Sequence, residues 1–110
     1  MKDLELRNPD LFRMVKEESL RQIKMWGIQD HDLFEWITHT TEELGELACA
    51  ISEWTYRMGP KSEVVKEAIH TATLSLKIAE MFIELCDECS RSFEDGQRHC
   101  RKCRKFLLGE

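Results

Sequence analysis

Only two prolines and five glycines punctuate the 110 residues. So few breakers fit a folded, helix-rich protein and argue against a disordered one. No stretch of about 18 consecutive apolar residues occurs, so the sequence predicts no membrane-spanning helix. The N-terminal Met1-Lys2-Asp3-Leu4-Glu5 is charged and lacks the apolar segment of a secretory signal, which leads to the expectation of a cytoplasmic protein. No internal repeat or low-complexity segment is present. The length suits one domain, since two cores of half this size would each be marginal.

What is present is a helix-rich composition. Hydrophobic residues make up 42% and charged residues 34%, a balance that fits a folded chain and argues against disorder. The net charge of -5 is unevenly spread. Residues 90–110 carry six Lys/Arg (Arg91, Arg98, Arg101, Lys102, Arg104, Lys105) against three acids, so this tail is +3 and the remaining body -8. An acidic body argues against general nucleic-acid binding, whereas the tail suits either a local anionic partner or simple solvation.

Three helices are expected. Asn8-Pro9-Asp10 reads as a helix start, and the helix would turn Phe12, Val15, Leu20, Ile23 and Trp26 toward a core before Gly27 ends it. Asp32-Leu33-Phe34-Glu35 has capping-box spacing with Asp at the cap. From there Leu33, Ile37, Thr40, Leu44, Leu47, Ile51, Trp54 and Met58 recur at steps of three and four, a heptad stripe over about seven turns. Gly59-Pro60 stops this second helix. Ser62 suits the cap of a third, running to about Leu85. One of its stripes is Val65, Ala68, Ile69, Ala72, Leu76, Ala79 and Ile83; the opposite one is Leu74, Ile78, Met81 and Leu85. A helix apolar on both sides needs two partners, so the second face is expected to meet another subunit. The expected architecture is therefore all-α, a helical hairpin that assembles into a four-helix or larger bundle as a homodimer or homotetramer.

Glu42-Glu43-Leu44-Gly45-Glu46 sets three carboxylates on the long helix. Glu43 and Glu46 lie about 60° apart at one edge of the stripe. His39 shares that face one turn earlier, and Glu42 points further toward solvent. Glu67 and His70 likewise share a face of the third helix. Carboxylates converging from two helices suit a hard cation such as Mg²⁺, which accepts phosphate oxygens in the same shell. The same spacing suits a solvated acidic face with ordinary salt bridges.

Leu20-Arg21-Gln22, Lys24-Met25-Trp26-Gly27-Ile28-Gln29-Asp30-His31, Trp36-Ile37 and Thr41-Glu42-Glu43-Leu44-Gly45-Glu46-Leu47 together resemble the MazG-like all-α nucleotide pyrophosphohydrolase superfamily. Its signature is E-x-x-E, a variable spacer, then E-x-x-D. Glu43-x-x-Glu46 matches the first half, and Glu67-x-x-His70 follows after twenty residues. The resemblance covers roughly residues 17–84. It implies hydrolysis of a nucleoside triphosphate to the monophosphate and pyrophosphate, including house-cleaning of non-standard nucleotides, with Mg²⁺ or Mn²⁺ as cofactor. By this likeness Glu43, Glu46 and Glu67 are the catalytic metal ligands, with His70 in the fourth place. Trp26 and Gln29 become base contacts, although Trp26 equally suits packing and Gln29 a plain loop. The departure is His70 where the family carries Asp. An imidazole there could bind Mn²⁺ or Zn²⁺, hold a water or contact phosphate, or mark a chain that kept the fold and lost catalysis.

Cys86-x-x-Cys89 and Cys100-x-x-Cys103, ten residues apart, give four thiolates with the spacing of a structural Zn²⁺ site. A rubredoxin-type iron site and redox-active thiols are the alternatives. The expected organisation is a helical domain over residues 1–85 and a zinc-binding tail over 86–110. His99 is a weaker ligand candidate beside the four thiolates, and Cys49 is expected to be a small packed residue. A rival to the enzyme is a non-catalytic module whose zinc tail, with Arg98, Arg101, Lys102, Arg104 and Lys105, binds nucleic acid or a protein.

Overall fold

A computed structural model describes residues 1–84, and among these it contains three α-helices and no strand. They are α1 (Asp10–Trp26), α2 (Leu33–Arg57) and α3 (Lys61–Ile83). No helix among the described residues is long and apolar enough to cross a membrane. The four-cysteine site, His99, Leu85 and the basic tail lie outside the described residues. The chain divides into two units, Met1–Leu76 and Lys77–Glu110. Helices α1, α2 and most of α3 belong to the first, whereas Lys77–Ile83, the last part of α3, belongs to the second.

Local chemistry accounts for the helix ends. The Asn8 side chain accepts the Asp10 N–H at 2.9 Å, with Pro9 in the cap position. Gly27 closes α1 at φ 73°, donating its N–H to the Ile23 carbonyl; a left-handed φ is cheap only without a Cβ. Asp32 caps α2 by accepting the Glu35 N–H at 2.8 Å. The Glu35 carboxylate meanwhile faces His31 Nδ1 at 3.2 Å. Helix α2 ends at Arg57, with Met58 in the left-handed region. Gly59 follows so closely packed that a Cβ would lie 3.0 Å from the Glu53 Cβ and 3.1 Å from its carbonyl carbon. Helix α3 starts at Lys61, directly after Pro60, so Ser62 lies inside its first turn rather than at its cap.

The inward faces differ from those expected of the apolar stripes. On α1 the more covered residues are Leu11, Met14, Val15, Ser19 and Gln22, with Glu18 buried among them. Phe12, Leu20, Ile23 and Trp26, expected in a core, are 66%, 66%, 42% and 56% exposed; only Val15 is half-buried. On α2 the covered face runs through Trp36, His39, Thr40, Glu43, Leu47 and Ala50. It is rotated by about 60° from the heptad stripe, which leaves Leu33, Ile37, Leu44, Ile51, Trp54 and Met58 exposed. Cys49 points away from that face and is exposed, not packed. On α3, Ile69, Thr73 and Leu74 are buried, together with Glu67. Leu74, expected at a subunit interface, is thus covered within the chain, whereas Val65, Leu76 and Ile83 of the stripe expected to face inward are exposed, as are the apolar residues of α1 and α2 named above. As a result, Glu18, Glu67 and Thr73 are buried alongside the apolar Trp36, Ile69 and Leu74.

Candidate functional site

Four ionisable residues, one or two from each helix, gather where α1, α2 and α3 meet. Glu18 comes from α1, Glu43 from α2, and Glu67 and His70 from α3. Glu18 and Glu67 are only 7% and 8% exposed, and carboxylates are seldom buried so deeply without a partner of opposite charge or a metal. One atom each from Glu43, Glu67 and His70 lie within 4.8 Å of one another, a grouping able to hold a metal ion.

The imidazole of His70 joins the two sides of the cluster. Its Nδ1 lies 3.5 Å from Glu43 Oε2 and 3.5 Å from Glu67 Oε2. Its Nε2 lies 3.4 Å from Glu18 Oε1. Glu18 is firmly held in turn: the Arg21 guanidinium grips both its oxygens, with Nη2 2.7 Å from Oε2, and the Gln22 amide donates to Oε2 at 2.8 Å. Burial alone would raise the Glu18 carboxyl. The hydrogen bonds from Arg21 and Gln22, with the charges of His70 and Arg21, outweigh burial and hold it below the ordinary carboxylate range.

Glu43 shows the opposite balance. Its carboxyl is pushed above the ordinary value, first by burial and then by the negative charges of Glu46 and Glu67, against which the attraction of His70 is insufficient. The Oε2 atoms of Glu43 and Glu67 are fully buried and have no hydrogen-bond partner. Buried polar atoms are nearly always paired, so two orphaned carboxylate oxygens converging on one point fit a divalent cation. Their donor chemistry, two oxygens and a nitrogen, suits such an ion.

The residues anticipated for the site divide accordingly. Glu43, Glu67 and His70 are brought together; Glu46 is exposed and outside the grouping, acting on Glu43 through its charge. A register in which α2 meets α3 at Glu43 puts Glu46 nearly a turn further along. Glu42 is exposed, 3.6 Å from His39 Nδ1. Sequence reasoning missed Glu18. Its signal was position: in Leu11, Val15, Glu18, Gln22 the acid falls at the helical spacing of an inward face.

Beside Glu43 opens a cavity of about 300 Å³ whose lining includes Arg21, Trp26, Gln29, His31, His39 and Glu43. Trp26 and Gln29 thus border the same space as one of the candidate metal ligands. Trp26 is more than half exposed, with the Arg21 guanidinium 5.6 Å from its ring centroid, a geometry that does not suit a packed core residue. The wall behind is built by His31, edge-on to the buried Trp36 at 5.0 Å and tilted against His39 at 4.9 Å.

No family model, no curated protein and no solved structure matches this chain.

Proposed function

We propose that the chain is a metal-dependent nucleoside triphosphate pyrophosphohydrolase of MazG-like kind. The observation that carries this reading is the pair of orphaned, buried oxygens of Glu43 and Glu67 facing His70, next to a cavity that Trp26 and Gln29 border. Glu43, Glu67 and His70 would hold a divalent cation, with Glu46 adding negative charge nearby. Bound there, the cation supplies charge neutralisation for the phosphate oxygens and a more acidic water.

The chain's own residues supply position. Trp26 offers an exposed indole face on which a base stacks, and Gln29 offers an amide that both donates and accepts toward the base edge. Arg21, already tied to Glu18, adds positive charge at the cavity wall without leaving its partner. In the reaction, water adds to the α-phosphorus, the bond from that phosphorus to the oxygen bridging it to the β-phosphorus breaks, and the nucleoside monophosphate and pyrophosphate depart. The carboxylates nearest the water accept its proton, a role Glu46 suits because it is exposed and not among the grouped ligands.

Association of copies belongs to the same reading. The stripe Leu33, Ile37, Leu44, Ile51 and Trp54 repeats at heptad spacing along an exposed face of α2, the pattern of a helix–helix seam. A second copy of this chain is the occupant it suits. The Cys86, Cys89, Cys100 and Cys103 set would hold a structural Zn²⁺ apart from the reaction.

The test uses the full chain. A panel of NTPs and dNTPs is incubated with Mg²⁺ or Mn²⁺ and pyrophosphate is measured. Release from at least one nucleotide is expected, with Glu43→Gln and Glu67→Gln each lowering it by about a hundredfold or more. A blank panel with both metals overturns the reading.

A further inference from the structure

The wiring of His70 says more about the cation than the ligand count does. One ring nitrogen faces Glu18 and the other faces Glu43 and Glu67. Both oxygens of Glu18 are held in place by Arg21 and Gln22. A cation taken by Nδ1 would leave the ring proton on Nε2, which faces that fixed carboxylate at 3.4 Å. Nδ1 of His70 and the orphaned Oε2 atoms of Glu43 and Glu67 converge on one space, within 4.8 Å of one another. With a cation bound at Nδ1, the arrangement would be that of the carboxylate–histidine–metal relay, in which the outer acid sets the tautomer and ring orientation and raises the basicity of the ligating nitrogen.

We infer that Glu18 is a positioning residue that presents His70 Nδ1 to the metal, giving the site one imidazole and two carboxylates and a preference for a first-row transition cation over Mg²⁺. Imidazole is a poor ligand for Mg²⁺, which dehydrates reluctantly and takes oxygen donors, whereas transition cations accept nitrogen and oxygen together. This rests on reading the Glu43, Glu67 and His70 cluster as the metal site of the proposed reaction. It adds that the Glu18–Arg21 pair on α1 is part of that site, through an anchor that touches neither metal nor nucleotide.

Mn²⁺ is the probe, because it is paramagnetic and has little affinity for the four thiolates at Cys86, Cys89, Cys100 and Cys103. Mn²⁺ bound to the full chain is examined by electron spin-echo spectroscopy and titrated in competition with Mg²⁺, without nucleotide. The expected results are an imidazole nitrogen coupling on Mn²⁺, absent in His70→Asp, and displacement by Mg²⁺ only at about a hundredfold excess or more. Glu18→Gln is expected to weaken Mn²⁺ by about ten- to a hundredfold while moving Mg²⁺ little. In His70→Asp the gap between the two metals narrows.

Mn²⁺ bound without nitrogen coupling overturns the inference. So does a natively folded Glu18→Gln chain, checked by circular dichroism, whose Mn²⁺ affinity is unmoved. If Glu18→Gln fails to fold, the nitrogen coupling in the unaltered chain still decides. Nitrogen-coupled Mn²⁺ binding in a chain that releases no pyrophosphate removes the reaction and leaves the metal assignment standing. Mn²⁺ binding indifferent to Glu43→Gln and Glu67→Gln removes both.

Discussion

Glu18 and Glu43 are two carboxyls drawn in opposite directions by their surroundings, and the difference is measurable. The raised Glu43 carboxyl binds its proton more tightly in the folded metal-free chain than in the unfolded one. Its contribution favours folding below the ordinary carboxylate value and is lost as pH rises through the raised value. The lowered Glu18 carboxyl contributes stability above the ordinary value, lost as pH falls through its depressed one. In EDTA, therefore, the Tm of the unaltered chain should rise relative to that of Glu43→Gln as the pH is lowered from about 7 to about 5. Parallel Tm curves for the two proteins would contradict the burial of Glu43. In Glu18→Gln the loss of stability should be largest near neutral pH and should shrink as acid titrates the carboxyl.

Among the elements, two glycines set opposite expectations. At Gly59 an added Cβ would press on the Glu53 side chain and backbone, where the chain turns tightly between α2 and α3. Gly59→Ala should cost about 1 kcal/mol or more, because the backbone carbonyl cannot swing away as a side chain can. At Gly45, in the middle of α2, nothing lies within 4 Å of an added Cβ. Gly45→Ala should stabilise the helix by up to about 1 kcal/mol through propensity alone. Urea unfolding of both variants checks the signs; two changes of the same sign would refute this account of the turn.

The same elements show how far the sequence was readable. Helix number and most boundaries followed from Asp32, Gly27 and Gly59-Pro60, because caps and breakers act on the backbone within a few residues. The pairing of Glu43 with Glu67 and His70 was legible as spacing along each helix. Which of Glu43 and Glu46 meets α3 was not, since a shift of less than one turn exchanges them. The inward face of α1 was read wrongly: Phe12, Leu20 and Trp26 outweighed Glu18 on hydrophobicity, although Glu18 is the buried one.

For the whole molecule, the uncovered stripe on α2 is the feature with consequences. Leu44 and Ile51 are about half exposed, and a heptad-spaced apolar row of this length is costly in water. Light scattering on the purified chain should therefore give a mass of at least twice 13.0 kDa. The double change Leu44→Asp and Ile51→Asp should lower it to that of one chain. A monomer in the unaltered protein, at concentrations well above those of an assay, would mean that the stripe has no copy to pair with.

Sequence by itself determined the number and type of helices, the two turns and the spacing of the acids along each rod, because these depend on interactions within a few residues. Only the tertiary structure decided which faces turn inward and which four side chains meet. That choice depends on rotations of about 60° between rods. A linear pattern of apolar residues cannot fix such rotations when an outward stripe is as hydrophobic as an inward one.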